Sequence, residues 1–378
     1  MKIIVTILLL LRKELVGNME VKVVIGANYG DEGKGLVSAN LARQAKQEKK
    51  KSLTVFYNGT AQRAHSFGNI IHHCTAAGEK FGSDTFYHRM FVVDPITLWL
   101  TNSPVYIDPR CRVIIPCDVI QNRKLETTRG EKRHGSCGFG LFSAVQRSRN
   151  AKYSIVINDL NDPYNLYFKL KEINEKSYPM NLDDIYNIDN FMRAVAFITS
   201  KCKIITFEDL VKEKEYDTII YEGGQGLLLD QSNLDCFPHL TPSSVGMYNI
   251  TNDIESLNCP VDLFYVSRTY MTRHGMGPME SECLKRHINP NIVDLVNQPN
   301  EWQGELRFGH IDLNTLYTRI KKDASVYTNN ANINLVFTQL NYTNNKLDTI
   351  EGRKEIIKPD FCNKLYISDN KLYIEREE

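Results

Sequence analysis

Short apolar, β-branched runs separated by longer mixed segments set the plan of this chain. VKVVI at 21–25 reads as a buried strand that ends in a glycine-rich loop. GKGLVSANLARQAKQ at 33–47 has helical periodicity, with Leu36, Val37, Ala39, Leu41 and Ala45 mostly on one face. The lysines at 49–51 read as its solvated end. Further strands are expected at 53–57, 112–116, 216–226, 261–270 and 332–340. Strands alternating with helical patterns predict an α/β fold: a mostly parallel central sheet with flanking helices, its loops gathered at the strand ends. The polar, proline-broken stretch from 158 predicts a helical insertion near 158–212. Residues 19–378 are expected to form a single domain.

The N-terminus stands apart from this pattern. Residues 1–18 hold an apolar run too short to span a bilayer, with no small-x-small cleavage site after it. They are expected to be a non-conforming extension ahead of Met19 or a mis-assigned start. Charge is balanced, 46 basic against 45 acidic residues, which argues against a general nucleic-acid binder. No CxxC joins the nine cysteines, so no zinc framework is visible and reduced thiols in a cytoplasmic protein without a membrane anchor are expected.

The chemistry lies in the loops. After the first strand comes ANYGDEGKG at 27–35. Gly30, Gly33 and Gly35 let main-chain N–H groups approach an anion, Lys34 adds a charge, and a helix N-terminus points at the same spot. It is P-loop-like without matching the P-loop: Asn28 stands at the first glycine and Gly35 at the hydroxyl residue. An acid beside a bound phosphate needs a task, either taking a proton or binding Mg²⁺, and Asp31 and Glu32 both sit there. The second loop, 57–68, offers Gln62, Arg63, His65 and Ser66. Further polar loops at 133–140, 222–231, 237–246, 267–278 and 302–312 carry Ser136, Gln225, Thr241, Arg273, His274 and Arg307.

GDEGKG at 30–35, EGGQGLLLD at 222–230 and TRHGMGP at 272–278, in that order, resemble the adenylosuccinate synthetase family. The resemblance runs with gaps from about residue 20 to 345. It implies a ligase that uses GTP or ATP and Mg²⁺ to phosphorylate O6 of IMP, or a related purine monophosphate, and then joins L-aspartate. It implies Asp31 as the base at purine N1 and a Mg²⁺ ligand, with the Ala64 carbonyl beside it, and His65 as the second catalytic residue, donating to the transferring phosphoryl group or O6. Gly30, Glu32, Gly33, Lys34, Gly35, Ser66, Thr338 and Asn341 would bind the nucleoside triphosphate. Gln62, Ser136, Gln225 and Thr241 would bind the purine monophosphate. Arg273 and Arg307 would bind the amine substrate, and a homodimer is expected, with Arg147 or Arg149 reaching across it.

The departures also speak. The family's GGxNAGHT is Gly59-Thr60-Ala61-Gln62-Arg63-Ala64-His65-Ser66 here. The guanine-reading TKLD is Thr338-Gln339-Leu340-Asn341, which brings in ATP as a donor. The arginine-rich aspartate loop is WQGELRFG at 302–309, keeping Arg307, for which Arg63 or Arg273 could compensate. The same chemistry on (d)GMP, giving a 2-aminoadenylosuccinate, and a catalytically silent nucleotide-binding protein are the alternatives. Retention of Asp31 favours an IMP-like reaction, and retention of both Asp31 and His65 argues against the silent binding protein.

Overall fold

The computed structural model describes residues 19–61, 63–177, 185–279 and 281–377. The expected extension at 1–18 and Gln62 lie outside the described residues. Ten strands among them build the main sheet: β1 (Glu20–Gly26), β2 (Ser52–Phe56), β3 (Asp84–Tyr87), β4 (Tyr106–Ile107), β5 (Lys203–Ile204), β6 (Thr218–Gly226), β7 (Val261–Arg268), β8 (Asn332–Thr338), β9 (Lys364–Ile367) and β10 (Glu375–Glu377). Their order is β10-β9-β8-β7-β1-β6-β2-β3-β4-β5. Every neighbouring pair is parallel except β9–β10.

β1 sits at the centre because it is apolar on both faces. Val21, Val23, Val24 and Ile25 are fully buried, each side chain worth about 1.5–3 kcal/mol of transfer free energy. Val21 pairs with Ile219 on one side and Val261 on the other. Helix α1 (Lys34–Gln47) follows, with Gly33 in the left-handed region as its N-cap and no side-chain cap. Leu36, Val37, Ala39, Leu41 and Ala45 are all buried, as the periodicity predicts.

One expectation changes, and the stretch near 158–212 is mostly helical. The apolar run at 112–116 contributes only Arg112–Val113, paired with Val92–Val93 outside the main sheet. The helices Pro163–Ser177 (α2) and Ile188–Lys201 (α3) are built into the body: Leu166, Leu170, Phe191 and Ile198 share a second core with Ile96, Ile107 and Ile115. The nine cysteines are all free thiols. No helix among the described residues is long and apolar enough to cross a membrane.

Candidate active site

Because β1, β2, β6, β7 and β8 are parallel, the loops that follow them meet at one edge of the sheet. A cavity of about 460 Å³ opens there, within the range of small-ligand sites. It is lined from the loops after β1, β2, β6 and β7 and from 134–137 and 237–242.

The loop after β1 is held open from within. Glu32 is buried; its Oε1 accepts from the main-chain N–H of Asn28 (2.9 Å) and Gly30 (2.7 Å), and its Oε2 pairs with Lys34 Nζ at 3.1 Å. Lys34 Nζ also donates to Gly30 O. Glu32 is therefore an internal brace and does not line the cavity, a correction to its expected contact with nucleotide. Asn28, at the P-loop's first glycine, ties the loop to the body: its Nδ2 donates to Ser267 Oγ at 2.9 Å and its Oδ1 accepts from Arg319 Nη2 at 2.7 Å. Gly33 has φ +100°, and a Cβ there would meet Thr338 Cγ2 at 3.3 Å. Gly30, Gly33, Lys34 and Gly35 do line the cavity.

Asp31 lines it too, half-buried, and among the described residues its carboxylate has no hydrogen bond or ion pair. Burial pushes this carboxyl above its ordinary range, and the Arg268 guanidinium opposes the shift. Arg268 Nε donates to the Asp31 main-chain oxygen, and its Nη2 pairs with Asp294 at 2.6 Å. Sequence reasoning missed Arg268. The signal was a basic residue as the last of an apolar strand, at the edge where ligands bind.

The second loop enters a buried ion cluster that sequence reasoning also missed. Glu222, at the site end of β6, is fully buried. Its Oε1 accepts from Arg63 Nη2 at 2.6 Å and contacts His65 Nδ1, and its Oε2 accepts from Ser38 Oγ. Burial, reinforced by the Arg63 cation, pulls the His65 ring down to about 4. Burial alone would push Glu222 up, but His65 and Arg63 outweigh it and hold the carboxyl down at about 2. His65, Ser66 and Ala64 line the cavity.

Across the cavity, Gln225 Oε1 accepts from Asn58 Nδ2 at 2.9 Å, which orients the amide. Among the described residues Thr241 Oγ1 is buried with no partner, at the cavity wall. Ser136 Oγ donates to Asn122 Oδ1 at 2.7 Å and accepts from Gly138 N–H at 3.2 Å.

Several expected contacts are not made. Thr338 is buried under the phosphate loop, donating to Glu32 O at 2.7 Å, and stays out of the cavity. Asn341 is exposed and does not line this cavity, because β8 ends at Thr338 and Gln339 turns the chain with φ 65°. Arg273 faces the cavity but spends its guanidinium on the carbonyls of Pro278 (2.6 Å) and Met276 (2.9 Å), over the Tyr29 ring. Arg307 lies outside it, paired with Glu282 through Nε at 2.7 Å and donating to Gly277 O at 2.8 Å. Both arginines donate to carbonyls of the 275–278 turn. Arg147 is spent within its own chain, on Asp118 (2.8 Å) and the carbonyls of Val113 and Tyr153.

The model of one protein family, adenylosuccinate synthetase, matches residues 95–341. The chain belongs to the adenylosuccinate synthetase family. An adenylosuccinate synthetase from Aliivibrio fischeri is 25% identical over 289 residues, 69% of this chain and 63% of that protein. The chain thus spans less than two thirds of that relative's length. The Halothermothrix orenii adenylosuccinate synthetase is 25% identical over 372 residues, covering 89% of this chain and 79% of its own. Two solved structures share the fold. Fully ligated adenylosuccinate synthetase from Plasmodium falciparum superposes with TM-score 0.66 at 18% identity, over 86% of this chain and 78% of that one. Cyanophage S-2L succinoaminodeoxyadenylate synthetase, bound to dGMP and to dATP as energy donor, gives TM-score 0.63 at 13% identity over 95% of both chains.

Proposed function

We propose that this chain is a nucleoside-triphosphate-dependent ligase that forms a C–N bond at C6 of a purine monophosphate. The observation that carries the reading is Asp31: an uncommitted carboxylate, raised by burial, on a glycine-rich anion loop beside the cavity. Pure binding of an anion has no use for a carboxylate there, whereas proton abstraction has. Asp31 takes the N1 proton of the purine, so O6 becomes nucleophilic. O6 attacks the terminal phosphorus, and the nucleoside diphosphate leaves as the P–O bond breaks. The amine of L-aspartate then attacks C6, the C6–O bond breaks, inorganic phosphate departs and the nitrogen loses a proton. Lys34 and the amides of Gly33 and Gly35 support the phosphates, and Gln225, Thr241 and Ser136 support the monophosphate substrate. The work is mostly positioning and charge stabilisation.

Mg²⁺ fits this edge: the Asp31 carboxylate, free among the described residues, and Ala64, a cavity-lining residue that would offer its carbonyl, are the hard oxygen donors it prefers. Bound there, it would neutralise phosphate charge. IMP is the leading acceptor because Asp31 is retained. dGMP is the second, supported by the cyanophage enzyme whose fold matches over 95% of both chains. The test is an endpoint reaction with Mg²⁺ and L-aspartate that crosses ATP or GTP with IMP or dGMP, read by mass spectrometry. A succinyl-purine product is expected and names donor and acceptor together. Nucleotide binding without any turnover would overturn the reading in favour of a silent binding protein.

A further inference from the structure

We propose that Arg63 is a positioning residue for His65: through Glu222 it fixes the imidazole with Nδ1–H turned inward and the Nε2 lone pair toward the cavity. The position is a departure in the sequence, an arginine where the family motif has alanine. Arg63 is 3% exposed and its guanidinium lies 3.4 Å from the centre of the Phe56 ring. Nη2 donates to Glu222 Oε1 at 2.6 Å and sits 3.0 Å from His65 Nδ1. Among the described residues, Nε and Nη1 are buried without partners. An arginine that leaves two buried donors unmet is a poor choice for packing alone, since an aliphatic side chain would fill the space without that cost.

The tautomer follows from the contacts. Glu222 receives donors from both Arg63 and Ser38, so it is held as a carboxylate. Its Oε1 touches His65 Nδ1 more closely than Arg63 does. A carboxylate oxygen cannot rest against a ring lone pair at that separation, so the ring proton lies on Nδ1, between the two atoms. Arg63 Nη2 and Nδ1–H are then two donors sharing one acceptor oxygen. The ring lines the cavity, and among the described residues nothing holds Nε2. In this state His65 accepts a proton or a hydrogen bond, where the family resemblance led us to expect a donor. A buried acid that dictates an imidazole tautomer is a known way to set what the far nitrogen can do. The inference rests on the ligase reading only in treating His65 as a reacting group.

The test is ¹⁵N NMR of the full chain labelled at histidine, without substrates, with the His65 signal assigned by its loss in His65→Gln. The wild type is expected to show the Nδ1–H tautomer, and Arg63→Met to show a mixture or the Nε2–H form. Arg63→Lys, which keeps a cation beside Glu222, is expected to restore the wild-type signature. In turnover assays Arg63→Met is expected to lower kcat by roughly tenfold to a hundredfold with nucleotide KM little changed. If Arg63→Met does not fold, Arg63→Gln takes its place under the same outcomes. An Nε2–H signal in the wild type, or an unchanged Nδ1–H signal in a folded uncharged variant, would overturn the proposal. The tautomer needs no turnover to be read, so failure of the ligase reading is seen separately.

Discussion

The phosphate edge and the 273–307 arm use charged side chains in opposite ways. At the phosphate edge, Glu222 absorbs the Arg63 cation and Glu32 holds Lys34 at the cavity wall, and this leaves Asp31 and the His65 ring edge free at the cavity. In the 273–307 arm the cations themselves are absorbed: Arg273 by three carbonyls, Arg307 by Glu282 and the same turn. The presence of a charged residue in a motif therefore says little until its partner is known. A buried side chain with a partner supports the architecture, and one without a partner beside a cavity is available for chemistry.

This contrast can be broken at several points. Asp31→Asn should have the largest effect, lowering turnover by about 10²–10⁴-fold while leaving nucleotide affinity within a few fold. Calorimetric binding beside steady-state rates checks it, and near-normal turnover would remove Asp31 from the mechanism. Glu222→Leu leaves the Arg63 guanidinium buried without a counter-charge and should cost about 3–5 kcal/mol of stability, read by urea unfolding.

The same cluster gives a pH dependence. His65 is held below its ordinary 6.5, at about 4, and Glu222 below its ordinary 4.5, at about 2. Both shifts are depressions, so both stabilise the fold above the ordinary values. His65's contribution is lost as pH falls from 6.5 toward 4, and Glu222's as it falls from 4.5 toward 2. Unfolding midpoints measured from pH 8 to pH 3 should be flat at first and then fall. Midpoints that rise on acidification would contradict the cluster.

Gly33→Ala forces a Cβ into a φ of +100°, at a cost of about 1–2 kcal/mol, and crowds Thr338; nucleotide affinity should drop with stability. Arg307→Ala should do least, under about 1 kcal/mol in stability, with the amine substrate's KM changed less than about threefold. A large rise in that KM would show that the arm releases Arg307 to substrate, and the contrast would fail.

What the sequence made legible follows the same line. β1, β6, β7 and β8 were readable because they are long, apolar and buried on both faces. β3, β4 and β5 were not, because two to four residues carry too little pattern and their pairing is set by neighbours. The glycines of 30–35 announced the anion loop because its backbone geometry is local. The tasks of Glu32, Glu222 and Arg268 were hidden, since each is decided by partners far along the chain: Arg268 by Asp294, Glu222 by Arg63. Asn341 and Arg307 were assigned by motif position, and the structure places them where a short strand end and a tight turn take them away from the cavity.

The central claim, that O6 of the purine is phosphorylated before the amine replaces it, has a direct test. IMP carrying ¹⁸O at position 6 is incubated with Mg²⁺, the triphosphate and L-aspartate, and inorganic phosphate is analysed by mass spectrometry. The account predicts that the ¹⁸O is recovered in phosphate in step with the succinyl-purine formed. Phosphate free of label, with ¹⁸O released to water or kept on the purine, would contradict it.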